Sequence, residues 1–373
     1  GQQDALQEKL IARVRENCAR PDMQQRYLDY QNAAWQSQGS FPSFPTYPLD
    51  EDGFAISFDP VADEEGFWDC WQRFGFVVGK QVVSAELCRQ TTDRVRSLLA
   101  QLSDGAYLLD NPATYPSLPK DPEGQESISR GFFELYHDNC LAQLRQSLRL
   151  YLHHVLIWGR ADLWTSFDRL GAKTRDPENA RGLPIHVDQN PYVHPGFQTT
   201  QGVLALVDCP IERGTYVAVP NSRSEFGRYC MAVDRHDPQY RGEYVEAGWD
   251  GGLMDSLAPH AQAIPLRAGD IVTWDSRTTH GNSPNRSDQV RMVAYISAGP
   301  ARMERLDAVE ARLDAFKTGM GSNVREALMH ASKPPRCRLA TTLAPLREPE
   351  ALSLLGKRLY GLEGYDATET TPA

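Results

Sequence analysis

The hydrophobic positions of this chain change period part-way along it. From Leu87 through Cys88, Val95, Leu98, Leu99 and Leu102 they recur at spacings of three, four and seven, the stripe of one helix face. Ser84 stands ahead of that stripe as an N-cap, and Glu86 in the first turn suits the helix dipole. Phe132 to Trp158 reads as a second helical region, with Leu141, Leu144, Leu148, Leu152 and Val155 on one face and Gly159 as its stop. Upstream, residues 1–35 are polar and helix-compatible. Ser37 to Asp52 is a Pro-, Ser- and Gly-rich extension, Gly66 to Phe74 is rich in aromatics, and Gly75 to Gly79 is a short buried strand.

After Asp162 the period drops to two. Leu163, Thr165 and Phe167 alternate with Trp164, Ser166 and Asp168, and short apolar runs follow at Gln201–Val207, Gly214–Val219, Ile264–Leu266, Ile271–Trp274 and Val290–Ser297. Short strands with Gly and Pro turns at this density predict a sandwich or double-sheet barrel. The tail returns to helix from Met303 to Met329 and again near Ala351 to Leu359. The expected fold class is therefore mainly β with flanking helices (α+β). Three segments follow: 1–53 helical and extended, 54–300 the strand-rich domain with an insertion at about 223–263, and 301–373 a helical extension.

Composition narrows the function. A formal net charge of -10 argues against a nucleic-acid partner, and no window reaches the apolar length of a membrane span. Seven scattered cysteines without a C-x-x-C pair read as reduced core thiols. The expectation is a cytoplasmic protein whose partner is a small molecule.

The candidate chemistry starts at Leu183-Pro-Ile-His-Val-Asp-Gln-Asn190. Side chains at i and i+2 of a strand leave the same face, so His186 and Asp188 project together, as a metal ion needs. The best third ligand is His280, in Thr278-Thr279-His280-Gly281-Asn282; His194, beside Pro195 and Gly196, ranks below it as a loop residue. Two histidines and a carboxylate on one face leave three cis positions open, the arrangement of non-haem Fe(II) oxygenases. Arg291 lies in an otherwise apolar strand eleven residues after His280, and its fork matches a carboxylate bidentately. His137, His153 and His154 are expected at the surface or an interface, since adjacent helical positions do not face one ion. Asp168 and Lys173 read as solvated strand-edge residues.

Taken together, His186-x-Asp188, the Gly214–Ser222 segment ending Pro-Asn-Ser, and Gly269-Asp270 through His280 to Arg291 resemble the phytanoyl-CoA dioxygenase family, over roughly Phe54 to Pro300. The resemblance implies a double-stranded β-helix (jelly-roll, cupin-like) core and an Fe(II)/2-oxoglutarate-dependent oxygenase that uses O2, with ascorbate as an activator in vitro. It implies iron on His186, Asp188 and His280. The distal carboxylate of 2-oxoglutarate would meet Arg291, with Asn282 and Gln201 also reaching the cosubstrate. It implies hydroxylation, or desaturation or ring chemistry, at a C–H bond, with succinate and CO2 released; related halogenases lack the carboxylate ligand that Asp188 supplies here. Substrate contacts are expected from Asn190, Tyr192, Arg223 and Arg277, a polar set with Gln189 that suits a small polar metabolite of specialised biosynthesis. Arg223 follows Pro220-Asn221-Ser222 where the family usually has Pro-Gly-Ser-His. Two further readings stand beside this one: a jelly-roll metal-dependent hydrolase or isomerase without 2-oxoglutarate, and a non-catalytic binding jelly roll.

Overall fold

The computed structural model describes residues 2–33, 44–117, 131–175, 182–190, 196–225, 253–322, 332–333 and 349–365. The polar N-terminal segment forms helices α1 (Gln2–Cys18) and α2 (Pro21–Ala33). The aromatic-rich segment is also helical, α3 (Glu64–Phe74), opened by the Asp63 side chain on the Gly66 N–H and closed by left-handed Gly75. Strand β1 (Phe76–Gly79) follows, then α4 (Ala85–Leu102), whose N-cap is Ser84 as its sequence predicts.

The segment 132–158 departs from the expected single helical region. It holds a short strand, β2 (Phe132–Phe133), and two helices, α5 (Asn139–Arg145) and α6 (Leu148–Trp158). The Asp138 side chain accepts the Cys140 N–H to start α5, and the Ser147 hydroxyl donates to the Val82 carbonyl at the break. The three histidines here are buried, contrary to the expectation of surface positions. Helix α6 is enclosed on nearly every side, so its periodicity does not mark an exposed face. His153 Nε2 reaches Thr273 Oγ1 at 2.8 Å, and burial drives its pKa well below the usual histidine range.

The remaining elements are β3 (Leu163–Thr165), β4 (Leu170–Lys173), β5 (Leu183–His186), β6 (Thr200–Ala205), β7 (Tyr216–Ala218), helix α7 (Leu253–Leu257), β8 (Gln262–Ile264), β9 (Ile271–Asp275), β10 (His280–Asn282), β11 (Arg291–Tyr295), β12 (Ala298–Pro300), α8 (Leu306–Thr318) and α9 (Leu354–Tyr360). Helix α8 ends where Gly319 turns left-handed, and residues 323–329 of the segment expected to be mostly helical lie outside the described residues. Of the 223–263 insertion, 226–252 lie outside the described residues, and its last residues enter β8.

A large antiparallel sheet runs β1-β9-β6-β11-β4-β2, and a smaller one runs β5-β10-β7-β8. Strand alternation gives the large sheet two different faces. Ile271, Leu204, Met292, Ala294 and Leu170 pack in one cluster with Val95, Leu98 and Leu99 of α4 and Leu141 and Leu144 of α5. Val272, Trp274, Val203, Ala205 and Val293 join the other cluster, which also contains Tyr216 and Ala218 of the small sheet. Tyr216 stacks on Trp274 with ring centroids 4.5 Å apart, so the small sheet covers this inner face. No helix among the described residues is long and apolar enough to cross a membrane.

Candidate active site

Strands β5 and β10 pair with His280 opposite His186, which sets the two imidazoles side by side, ring centroids 4.6 Å apart. The approach is close because residue 281 is glycine: a Cβ there would sit 2.4 Å from the Leu183 carbonyl oxygen. Asp188 follows β5 and turns its carboxylate between the rings, 3.1 Å from His186 Nε2 and 3.2 Å from His280 Nε2. One ligand atom from each of the three residues lies within 4.8 Å of the others.

The donor chemistry of this cluster fits a cation. His186 Nδ1 is 2.9 Å from the Pro184 carbonyl and His280 Nδ1 is 2.9 Å from the Thr278 carbonyl. A carbonyl only accepts, so each Nδ1 carries the proton, and a neutral ring then presents its Nε2 lone pair to the carboxylate. Two lone pairs facing an anion need a positive charge among them. A divalent metal would supply it, and backbone carbonyls orienting ligand histidines are the usual outer arrangement of such sites. Burial alone would raise the Asp188 carboxyl, but positive charge on the His186 and His280 side of the cluster outweighs it and holds it well below the usual carboxylate range, the direction in which a bound cation would also act.

Two further groups fix the cluster. Gln201 on β6 donates through Nε2 to Asp188 Oδ2 at 2.6 Å, so the described contact of this residue is to the carboxylate of the cluster. The His280 ring lies 4.7 Å from the Trp274 ring and 5.9 Å from that of Tyr216, which close its apolar side. Neither aromatic was singled out by sequence, since both read as ordinary core residues.

Arg291 opens β11 on the inner face, and its Nη2 donates to Asn282 Oδ1 at 3.1 Å while its buried Nε has no hydrogen-bond partner among the described residues. His280 and Asn282 are two residues apart on β10, a step of about 6.7 Å along an extended strand. Beside them lies a cavity of about 270 Å³, lined by Arg291, Asn282, Lys173, Leu183, Val293 and Tyr295 among others. A cavity of this size with a buried guanidinium in its wall suits a carboxylate.

The residues expected to meet substrate are placed differently. Arg277 is fully buried and grips Asp275 with Nε at 2.9 Å and Nη2 at 2.6 Å, and Tyr30 of α2 donates to the same carboxylate at 2.7 Å. Its fork is thus occupied by a protein carboxylate. Arg223 donates to the backbone carbonyls of Trp71 and Gln72 and lies over the Tyr30 ring, which uses its donors to hold α3. Asn190 is completely buried, as is Gln189, which receives the Ser276 hydroxyl at 2.6 Å and donates to the Gly196 carbonyl at 2.5 Å. Tyr192 and the lower-ranked His194 lie outside the described residues.

The family model for the phytanoyl-CoA dioxygenases matches residues 71–293, more than half of the chain and the whole span from His186 to Arg291. The chain belongs to the phytanoyl-CoA dioxygenase family. Among its relatives, a Dictyostelium discoideum protein whose name places it with the phytanoyl-CoA dioxygenases is 20% identical, over 62% of this chain and 74% of that protein. The Ava biosynthesis cluster protein O of Aspergillus versicolor is 21% identical, over 70% of this chain and 86% of its own length. Among solved structures, a hypothetical protein of Escherichia coli, JW0805, is 17% identical. It covers 96% of both chains with a TM-score of 0.57, so the likeness in fold runs far beyond the residues of the family match.

Proposed function

We propose that this member of the phytanoyl-CoA dioxygenase family is an Fe(II)/2-oxoglutarate-dependent oxygenase that hydroxylates a C–H bond of a small metabolite. The observation that carries the reading is that the small sheet bears the His186–Asp188–His280 cluster and the facing large sheet bears Arg291, with Asn282, two residues after His280, bonded to Arg291. On this reading the interleaved strands of the two sheets are the halves of a jelly roll. Successive strands from β4 to β11 alternate between the large and small sheets except at β7 and β8, which supports that assignment. His186, Asp188 and His280 would hold the iron, and Arg291 with Asn282 would hold the far carboxylate of 2-oxoglutarate. When bound, the iron with its cosubstrate and O2 supplies the oxidising power for C–H cleavage, leaving succinate and CO2.

The chain's own residues then have separate tasks. Pro184 and Thr278 carbonyls keep the histidine Nε2 atoms presented to the ion, and Gln201 holds Asp188 in its rotamer. Trp274 and Tyr216 keep water from one side of His280. Asp188 would fill a coordination position that a chloride could otherwise take, which favours hydroxylation over halogenation. Purified protein given Fe(II), ascorbate, O2 and 2-oxoglutarate should release succinate. His186→Ala is expected to abolish this release, and full turnover in that variant would sink the metal assignment. Arg291→Met is expected to raise the 2-oxoglutarate requirement by about ten- to a hundredfold through loss of a charge-assisted pair. Arg291→Lys should recover part of it.

A further inference from the structure

Resting on that reading, we infer that Arg169 recognises a carboxylate of the primary substrate, so that the enzyme acts on a monocarboxylate with an apolar or aromatic body. The inner face of β4 and the residue before it present Arg169, Gly171 and Lys173 in alternation. Strand β11 presents Tyr295, Val293 and Arg291 beside them, with the Tyr295 N–H bonded to the Arg169 carbonyl at 3.0 Å. Arg169 and Arg291 therefore stand at opposite ends of one face, about 13 Å apart along the strands. Asn282, two residues after His280, is bonded to Arg291 at one end. A cosubstrate anchored on Arg291 and reaching toward His280 leaves the Arg169 end for the molecule to be oxidised.

The condition of the Arg169 side chain points to a ligand. It is only 14% exposed, and its guanidinium lies 4.4 Å from the Phe132 ring centroid and 5.5 Å from that of Tyr295, two residues that line the cavity. Gly171, between Arg169 and Lys173, has no room for a side chain: a Cβ would meet Val293 at 2.8 Å. Nε and Nη1 of Arg169 are buried, and its guanidinium makes no hydrogen bond among the described residues. By contrast, Arg94, whose side chain is also 14% exposed, and buried Arg145, Arg277 and Arg312 each donate at least two. A buried guanidinium with unused donors is costly, and an oxyanion that takes them removes the cost. Asp168, at 3.9 Å, is beyond hydrogen-bonding reach, and its carboxylate and that of buried Glu134 already place negative charge near the guanidinium. That charge favours a monoanion over a phosphate dianion. The rings of Phe132 and Tyr295 suit an apolar flank on the same molecule.

The test uses full-length protein loaded with Mn(II) and 2-oxoglutarate. Benzoate and 3-phenylpropanoate are each titrated against their primary amides, with thermal stabilisation as the readout. The inference expects the carboxylates to stabilise the wild-type protein and the amides not to. Arg169→Met should weaken carboxylate binding about tenfold or more, and Arg169→Lys should restore part of it. Two results overturn it: no preference for carboxylate over amide in the wild type, or an Arg169→Met loss that falls on 2-oxoglutarate affinity and spares the carboxylates. Inorganic phosphate binding more tightly than either carboxylate would overturn the choice of anion. Succinate release is followed in parallel. If the wild type makes none while the carboxylate preference and its loss in Arg169→Met both hold, the oxygenase reading has failed and the anion site has not.

Discussion

At the scale of single residues, the cluster depends on groups that sequence spacing does not mark. Gln201 sits thirteen residues from Asp188 and meets it because β6 lies centrally in the large sheet with its odd-numbered residues on the inner face. A partner that orients a metal-binding carboxylate is worth about ten- to a hundredfold in metal affinity. Gln201→Leu is therefore expected to weaken Mn(II) binding by that factor, read by titration of the apo-protein, while the fold keeps its melting temperature within a few degrees. Unchanged affinity would make the 2.6 Å contact incidental. The His186-x-Asp188 pair, His280 and Arg291 were legible because each stands in a strand pattern of fixed period. Arg277 and Arg223 were not: a polar residue near the site reads as a substrate contact until its partner is seen, and Asp275 and the Trp71 and Gln72 carbonyls lie far off in sequence or without a pattern. Arg169 was missed for the converse reason, since its unused donors are a fact of packing alone.

At the scale of elements, α6 carries two buried neutral histidines, and this ties stability to pH. Burial lowers the His154 pKa to about 3 and that of His153 well below its ordinary value, with His154 adding to the second shift. Below about pH 6.5 the unfolded chain takes up protons on these rings and the folded chain does not. Stability from this source is complete above pH 6.5 and falls with decreasing pH, by about 1.4 kcal/mol per pH unit for each histidine, until the folded pKa is reached. Urea unfolding at pH 7.5, 6 and 5 is the measurement. His154→Phe should be less steeply pH-dependent than wild type by about 1.4 kcal/mol per unit between the two lower values. Identical slopes would show that the ring is protonated in the folded protein. The helix itself was legible from its leucines, but its enclosure was not, because a periodic stripe says which face is most apolar and not whether the opposite face also meets protein. The break between α5 and α6 was hidden for a related reason: Ser147 pairs with Val82, a residue before α4.

At the scale of the whole molecule, the terminal segments belong to the core that the family match brackets. Ile11, Val14, Cys18, Met23 and Tyr30 from the N-terminal helices share one buried cluster with Trp71, Trp158, Trp274 and, from the C-terminal end, Leu355, Leu359 and Tyr365. Arg15 grips Asp162 through two bonds of 2.9 Å, Arg358 of α9 reaches Glu8 of α1, and Tyr30 ends on Asp275, two residues from Arg277 and five from His280. The boundaries at 53 and 300 follow composition, which changes where the strands begin and end. Composition does not report that helices from both ends close over the same strands. Deleting residues 1–33 removes the buried side chains of Ile11, Val14, Met23 and Tyr30 among others, roughly 6–12 kcal/mol of apolar burial, which is comparable to the whole stability of a typical domain. It also leaves the Asp275–Arg277 pair without its hydroxyl donor. The full chain should unfold in one transition by both fluorescence and circular dichroism, and the fragment 54–300 should give no cooperative transition at 25 °C. Tyr30→Phe, which keeps the packing and loses only the bond to Asp275, should cost about 1.5–3 kcal/mol in the full chain. A fragment 54–300 that unfolds as sharply as the whole protein would mean that the terminal helices lie on a core already complete without them.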